Sequence, residues 1–208
     1  MSRRGVHMGW MARLPAKSAV ALAGALALAG CVSFGGGDPP DELITLTPTT
    51  TAPAGAAVTG DFSTAISVLE PEAPQSLKVT RVPVQVTPAT LAYLPDATWV
   101  DRPAKLFGHL LTEAVRMQTG RLVLEGGDLQ YAAATQLTGQ LATMGYDATS
   151  SSVVVRFDAV LRRPDGQVRS RRFESTVPGV APKAAPVGAA LNQAANDVAT
   201  QVAAWVGR

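Results

Sequence analysis

The stretch from Ser152 to Val177, SVVVRFDAVLRRPDGQVRSRRFESTV, decides the fold class. Its first half alternates between apolar and other side chains, which predicts a half-buried strand. Pro164-Asp165-Gly166 then has the chemistry of a tight turn, so the chain is expected to return as a second strand to Val177. The residues expected to point inward on the first strand are Val153, Val155, Phe157, Ala159 and Leu161.

The segments on both sides of this hairpin predict the rest of the sheet and two helices. Asp101 is a suitable N-cap and Pro103 a suitable first-turn residue for a helix that ends at Gly120. A second amphipathic helix is predicted from about Pro186 to Val206. The resulting fold class is α/β (α+β), with one mixed, largely antiparallel sheet and two main helices packed against it. Further strands are predicted at Phe62–Val68, Leu77–Val86, Leu122–Leu124 and Ala134–Met144.

The N-terminal region has the pattern of a lipoprotein signal. Four basic residues precede a short alanine-rich run, and Leu28-Ala-Gly-Cys31 completes a lipobox. Cys31 is the only cysteine, and we expect its acylation, with chains such as palmitate, to anchor the protein. Val32 follows it in place of the aspartate of inner-membrane lipoproteins, so the prediction is an outer-membrane anchor with the domain facing the periplasm.

Composition divides the chain into three parts. Residues 1–30 are predicted to be the signal peptide, residues 31–60 a lipidated flexible tether, and residues 61–208 a single globular domain. Within the tether, Leu43 to Leu46 has strand-like composition and is a candidate edge strand docking on the domain.

The charge and the polar residues exclude several classes of function. Without its leader the chain has 14 basic and 16 acidic residues, which argues against nucleic acid as a partner. The one histidine outside the leader, His109, lies in the middle of the first predicted helix, where a helix-surface role is favoured over catalysis. No metal-ligand cluster or phosphate-binding loop is apparent, so neither a catalytic site, a metal nor a cofactor is predicted.

Arginines are concentrated on the predicted hairpin. They form a candidate patch for anionic lipid headgroups or for an acidic protein surface. The alternative is that they protect an exposed sheet edge and pair with Asp158, Asp165 and Glu174, and this reading is favoured. The candidate patch consists of Arg162, Arg163, Arg169, Arg171 and Arg172, with Arg156 nearby.

Several motifs in a distinctive order carry a family resemblance. Ser67-Val-Leu-Glu-Pro-Glu is followed by Arg81-Val-Pro-Val, and then by the segment from Leu91 to Pro103, LAYLPDATWVDRP, which leads into the first helix. With Arg171-Arg172-Phe173 and the terminal Trp205, the chain resembles the ABC-type transport auxiliary lipoproteins over nearly all of residues 61–206.

This resemblance implies a non-catalytic component that works with an ABC permease, its ATPase and an MCE-type protein in lipid transport and envelope maintenance. It also implies phospholipid as a possible cargo and a homo-oligomeric ring as a possible assembly. The segment from Thr90 to Pro103 is expected to be a loop, whose candidate partner-binding residues are Leu91, Tyr93, Leu94 and Trp99. Alternatively, Tyr93 and Trp99 pack on the sheet beside Leu106. A different function, a lipid carrier with its own apolar pocket between sheet and helices, also remains open.

Overall fold

The computed structural model describes residues 42–208, which contain one seven-stranded sheet and two long helices. The predicted signal peptide, Cys31 and the predicted tether as far as residue 41 lie outside the described residues. The strands are β1 Ile66–Val68, β2 Arg81–Thr87, β3 Thr90–Thr98, β4 Val123–Glu125, β5 Thr135–Asp147, β6 Ser152–Arg162 and β7 Val168–Val177; the helices are α1 Pro103–Thr119 and α2 Ala184–Val206, with short 3₁₀ helices at Gln75–Leu77 and Asp128–Ala132.

Strand β5 organises the sheet because it is paired on both edges. One edge pairs antiparallel with β6 over almost its whole length, and β6 pairs antiparallel with β7. The other edge is shared by two parallel neighbours, β1 near the start of β5 and β2 near its end. Strand β4 extends the sheet beyond β1, and β3 forms an antiparallel hairpin with β2. The predicted mixed sheet with two helices is therefore confirmed.

Two glycines allow the neighbours of β5 to come close. A Cβ atom at Gly145 would lie 2.4 Å from the carbonyl oxygen of Pro83 on β2, and a Cβ atom at Gly139 would lie 2.2 Å from the carbonyl oxygen of Asp158 on β6. Only glycine fits such backbone contacts. The register of β5 against β6 shifts by one residue between Leu141 and Thr143, which indicates a bulge in β5.

Both helices pack on one face of the sheet and enclose the core. The rings of Phe107 on α1 and Phe157 on β6 meet edge to face, with centroids 5.3 Å apart. The five inward positions predicted on β6 are all buried, and so is the apolar side of α2. Helix α1 ends at Gly120, whose φ of 61° is the left-handed conformation expected of a glycine helix stop.

Two local predictions were wrong. The segment from Thr90 to Thr98 is strand β3 and not a loop, because its backbone pairs with β2 despite Pro95 and Asp96. Asp101 is not the N-cap of α1; the N-cap is Arg102, and no side chain caps this helix end. Asp101 instead accepts hydrogen bonds from the Arg102 backbone at 2.7 Å and from Lys105 Nζ at 2.6 Å.

We expect Gly145→Ala to destabilise the domain by about 2 kcal/mol, because the added methyl group overlaps the Pro83 carbonyl and pushes β2 away from β5. Urea unfolding followed by circular dichroism measures the free energy of unfolding. Gly188→Ala is the matched control, since its methyl group would meet only Ile44 side-chain atoms at 3.4 Å or more, and α2 gains helix propensity. Equal stabilities of the two variants would contradict the role given to Gly145.

Candidate interaction surfaces

The segment that precedes the first strand is joined to the sheet by its backbone. Ile44 N donates to Thr98 O at 2.8 Å, and Val100 N donates to Ile44 O at 2.9 Å. Ile44 thereby forms a parallel bridge with Trp99. Leu43 to Leu46 were predicted to dock as an edge strand. In the structure only Ile44 pairs with the sheet, through this one bridge, and the four residues do not form a strand.

Residues 44–52, which we call the strap, continue across both helices. On α2, Asn192 Oδ1 accepts from Thr47 N at 2.8 Å, and Asn196 Oδ1 accepts from Thr49 N at 2.9 Å. On α1, Glu113 Oε1 accepts from Ala52 N at 2.7 Å. Composition had assigned this segment to a flexible tether, but its backbone is bound at four points between residues 44 and 52. Side chains more than 60 positions away provide three of these contacts.

Asn196 makes the most complete contact with the strap. Its Oδ1 accepts from Thr49 N, and its Nδ2 donates to Thr47 O at 2.9 Å and to Asn192 O at 2.8 Å. Only 7% of Asn196 is exposed. A buried amide is tolerated because its hydrogen bonds are satisfied, so the strap and this side chain depend on each other.

The four residues proposed for partner binding are divided between core and surface. Leu94 and Trp99 are buried, so they do not offer side chains to a partner. Tyr93 is half-buried, with the Arg81 guanidinium 4.4 Å from its ring centroid, and Leu91 is exposed. The alternative in which Trp99 packs inward is therefore the observed one. Its Nε1 has no hydrogen-bond acceptor among the described residues.

The hairpin arginines lie on both faces of the sheet and so do not form one patch. On the face without helices, Arg172 makes a two-point contact with Asp158, at 2.6 and 2.8 Å, and Arg156 pairs with Glu174. This confirms the pairing with Asp158 and Glu174. Asp165 instead accepts from the Gln167 backbone in the turn. Hydrogen bonding by Arg172 lowers the pKa of Asp158 below its ordinary value.

Two other arginines are placed by aromatic rings on the helix side of β7. Arg169 lies over the Trp205 ring at 5.5 Å, and Arg171 lies over the Phe173 ring at 5.0 Å. The two rings meet edge to face at 5.6 Å. Side chains alternate along a strand, so Arg169 and Arg171 share a face and Arg172 points to the other. Arg162 is exposed at the end of β6, and Arg163 is half-buried in the turn.

A family model for the ABC-type transport auxiliary lipoprotein component matches residues 44–203. The chain belongs to this family. The sequence resemblance is thereby confirmed, and membership associates this lipoprotein with ABC transporters in an auxiliary role. The match begins at Ile44, the first residue of the strap, so the strap belongs to the family domain.

Solved structures share the fold of this auxiliary lipoprotein. Protein XCC0632 from Xanthomonas campestris has 20% identity and a TM-score of 0.65, over 79% of this chain and 93% of its own. An uncharacterized protein has 14% identity and a TM-score of 0.60, over 79% and 99% of the two chains. At these identities the similarity shows the fold alone. No curated protein matches the chain.

The aromatic residues that carried the family resemblance are mostly structural in this auxiliary lipoprotein. Trp99, Phe173 and Trp205 are buried, and Tyr93 is half-buried. They lie in two places, Trp99 and Tyr93 on or beside β3, and Phe173 and Trp205 between β7 and α2. These aromatic residues therefore match the family pattern because they pack at the two ends of the sheet.

His109 lies on the exposed surface of helix α1, as predicted from the sequence. Its side chain is 57% exposed, and its Nδ1 pairs with Glu125. Between residues 42 and 208, no group of three or more histidine, cysteine, aspartate or glutamate residues is arranged to hold a metal ion. Neither α1 nor α2, the two long helices in that range, is long and apolar enough to cross a membrane.

Two cavities of the described domain lie along the strap. One of about 230 Å³ is formed where residues 48–50 of the strap cross the helices, and it includes Leu110, Met117 and Asn196. Another of about 430 Å³ lies beside His109 and Glu113. The space between sheet and helices is filled by buried side chains such as Phe107, Phe157 and Leu141. A lipid-carrying pocket at that position stays a prediction.

We expect Asn196→Ala to destabilise the domain by about 2 kcal/mol, because it leaves the backbone groups of Thr47 and Thr49 without partners. Amide hydrogen exchange should become faster at Thr49. The control is Gln193→Ala on the exposed side of the same helix. Unchanged exchange at Thr49 would show that Asn196 does not hold the strap.

The lowered pKa of Asp158 predicts an acid-dependent contribution to stability. This contribution is present above the ordinary aspartate pKa of about 3.9 and is lost as the pH falls through the lowered folded-state pKa. In Arg172→Gln, the pKa of Asp158 should rise toward the ordinary value, as followed by carboxyl NMR titration. The pKa of Asp101, lowered mainly by Lys105, should not move and serves as the internal control.

Proposed function

We propose that this protein is an outer-membrane-anchored periplasmic lipoprotein that acts as a non-catalytic docking component of an ABC transporter with an MCE-type protein. Its role in this proposal is lipid transport and envelope maintenance. The observation that carries the proposal is the family match over residues 44–203, which is separated by twelve residues from a lipobox that ends at Cys31.

The short chain between Cys31 and the strap supports a role that depends on where the domain is held. Twelve residues, and so thirteen Cα–Cα steps, lie between Cys31 and Ile44, where the chain first pairs with the sheet. A chain of that length spans at most about 45 Å when fully extended. An acylated Cys31 would therefore hold the domain close to its membrane, where an adaptor could meet a complex that reaches across the periplasm.

The surface proposed for the MCE-type partner is the β2–β3 hairpin. Leu91 is 45% exposed and Val86 is 41% exposed, and Tyr93, two residues after Leu91 on β3, is half-buried. Exposed apolar residues next to an aromatic ring are suited to the centre of a protein interface. Leu94 and Trp99 would support this hairpin from within the core. A homo-oligomeric ring and phospholipid as the cargo are further parts of the proposal.

The anchor and the partner are tested together by envelope fractionation and crosslinking of the full chain. Metabolic labelling with palmitate should label the protein, and Cys31→Ser should abolish the label and release the domain from the outer membrane. The wild-type protein should copurify with an MCE-type protein from crosslinked envelopes. Absence of that protein from efficiently crosslinked envelopes would refute the docking role.

The hairpin is tested by Leu91→Glu, which should reduce the crosslinked MCE product at least tenfold because a charge is placed on an apolar contact. Leu129→Glu is the matched control, since Leu129 is 62% exposed on the 3₁₀ helix Asp128–Ala132, away from the hairpin. Equal products from the two variants would exclude the hairpin as the contact and leave the anchor unaffected.

A further inference from the structure

The arginines on the helix side of β7 contact aromatic rings. Arg169 and Arg171 make no ion pair with any residue in the range 42–208, whereas Arg156 and Arg172 on the opposite face are paired. Stacking on a ring uses the face of the guanidinium and leaves the N–H groups at its edge available. The N–H groups of these two guanidinium groups are therefore held in place and can donate hydrogen bonds to oxygen acceptors.

The same strand has an open backbone edge. Strand β7 pairs only with β6, and no other strand of residues 42–208 pairs with its outer edge. Only the Glu174 carbonyl, beyond Arg169 and Arg171, accepts a side-chain hydrogen bond, from Gln201 Nε2 of α2 at 3.4 Å. Such an edge presents N–H and C=O groups that an added strand can bind. Arg169 and Arg171 are two residues apart, which places them about 7 Å apart along the strand. The i and i+2 side chains of an added strand have the same spacing.

The location of this edge favours a protein over the anchoring membrane. The strap begins against Gly188 in the first turns of α2, while Arg169 lies over Trp205 at the end of that helix. These two points are about 26 Å apart along the helix. To bring Arg169 to the membrane, the chain between Cys31 and Ile44 would have to use more than half of its maximum length to pass back along the domain.

We propose that the outer edge of β7 binds an extended acidic segment of a partner protein, which adds a strand and places alternate carboxylates on Arg169 and Arg171. This proposal rests on the proposed function, because it assumes an anchored domain with a partner on the far side. A lipid headgroup would satisfy the guanidinium groups but would not use the backbone edge. The combination of the two features therefore specifies a polypeptide.

A synthetic peptide of alternating Glu and Val tests the proposal with the full-length acylated chain in nanodiscs. Fluorescence anisotropy should show saturable binding, and Arg169→Glu with Arg171→Glu should weaken it at least tenfold. Arg169→Gln with Arg171→Gln should weaken it less. This second variant keeps the test valid if the charge reversal prevents folding. Lys78→Glu with Lys183→Glu makes the same change in net charge at exposed sites and should leave binding unchanged.

Backbone pairing is tested with the same peptide N-methylated at alternate residues, which keeps its charges but removes the donors for a strand. This peptide should not bind. Equal binding of both peptides, or equal effects of the arginine and lysine variants, would refute strand addition. Arginine-dependent binding of the chain without Cys31 to vesicles of phosphatidylglycerol would favour the membrane and also refute it. Acylation of Cys31, measured by palmitate labelling, is independent of these outcomes and separates them from failure of the proposed anchor.

Discussion

The sharing of one edge of β5 between β1 and β2 is the constraint on which the rest of the fold depends. Two parallel strands meet the same edge only if each has its own section, and β5 is long enough, at 13 residues, to provide both. Gly145 provides the close approach for β2, and the bulge after Leu141 adjusts β5 to β6 on its other edge. The two helices then cover one face of a sheet whose shape β5 has determined.

Local patterns predicted the elements whose hydrogen-bond partners are near in sequence. Strands β6 and β7 are joined by a short turn, and the alternation of their side chains determines both the face and the register. Helix α2 follows from its apolar periodicity, and the end of α1 follows from Gly120. These features depend on residues that are close together in the sequence, so a local pattern is enough to predict them.

Some of the features that were missed depend on residues far apart, and others run against a local pattern. The strap contains threonine and proline, which are typical of a tether, and it is ordered by Asn192 and Asn196, which lie about 145 positions later. Strand β3 contains Pro95 and Asp96, which disfavour a strand locally, yet β2 supplies its backbone partners. The arginines were grouped by their proximity in sequence, but alternation separated Arg172 from Arg169 and Arg171. The core position of Trp99 likewise follows from packing that no local pattern contains.

With the anchor proposed at Cys31, the strap would also have a mechanical consequence. A pulling force transmitted along the chain reaches the domain first at Ile44, where two backbone hydrogen bonds join it to the end of β3, and then at Asn192 and Asn196 on α2. With the contact between Ala52 and Glu113 on α1, the load is spread over the sheet and both helices before it reaches β1. Detachment under tension would proceed bond by bond from Ile44 inward, lengthening the tether while the seven strands remain folded.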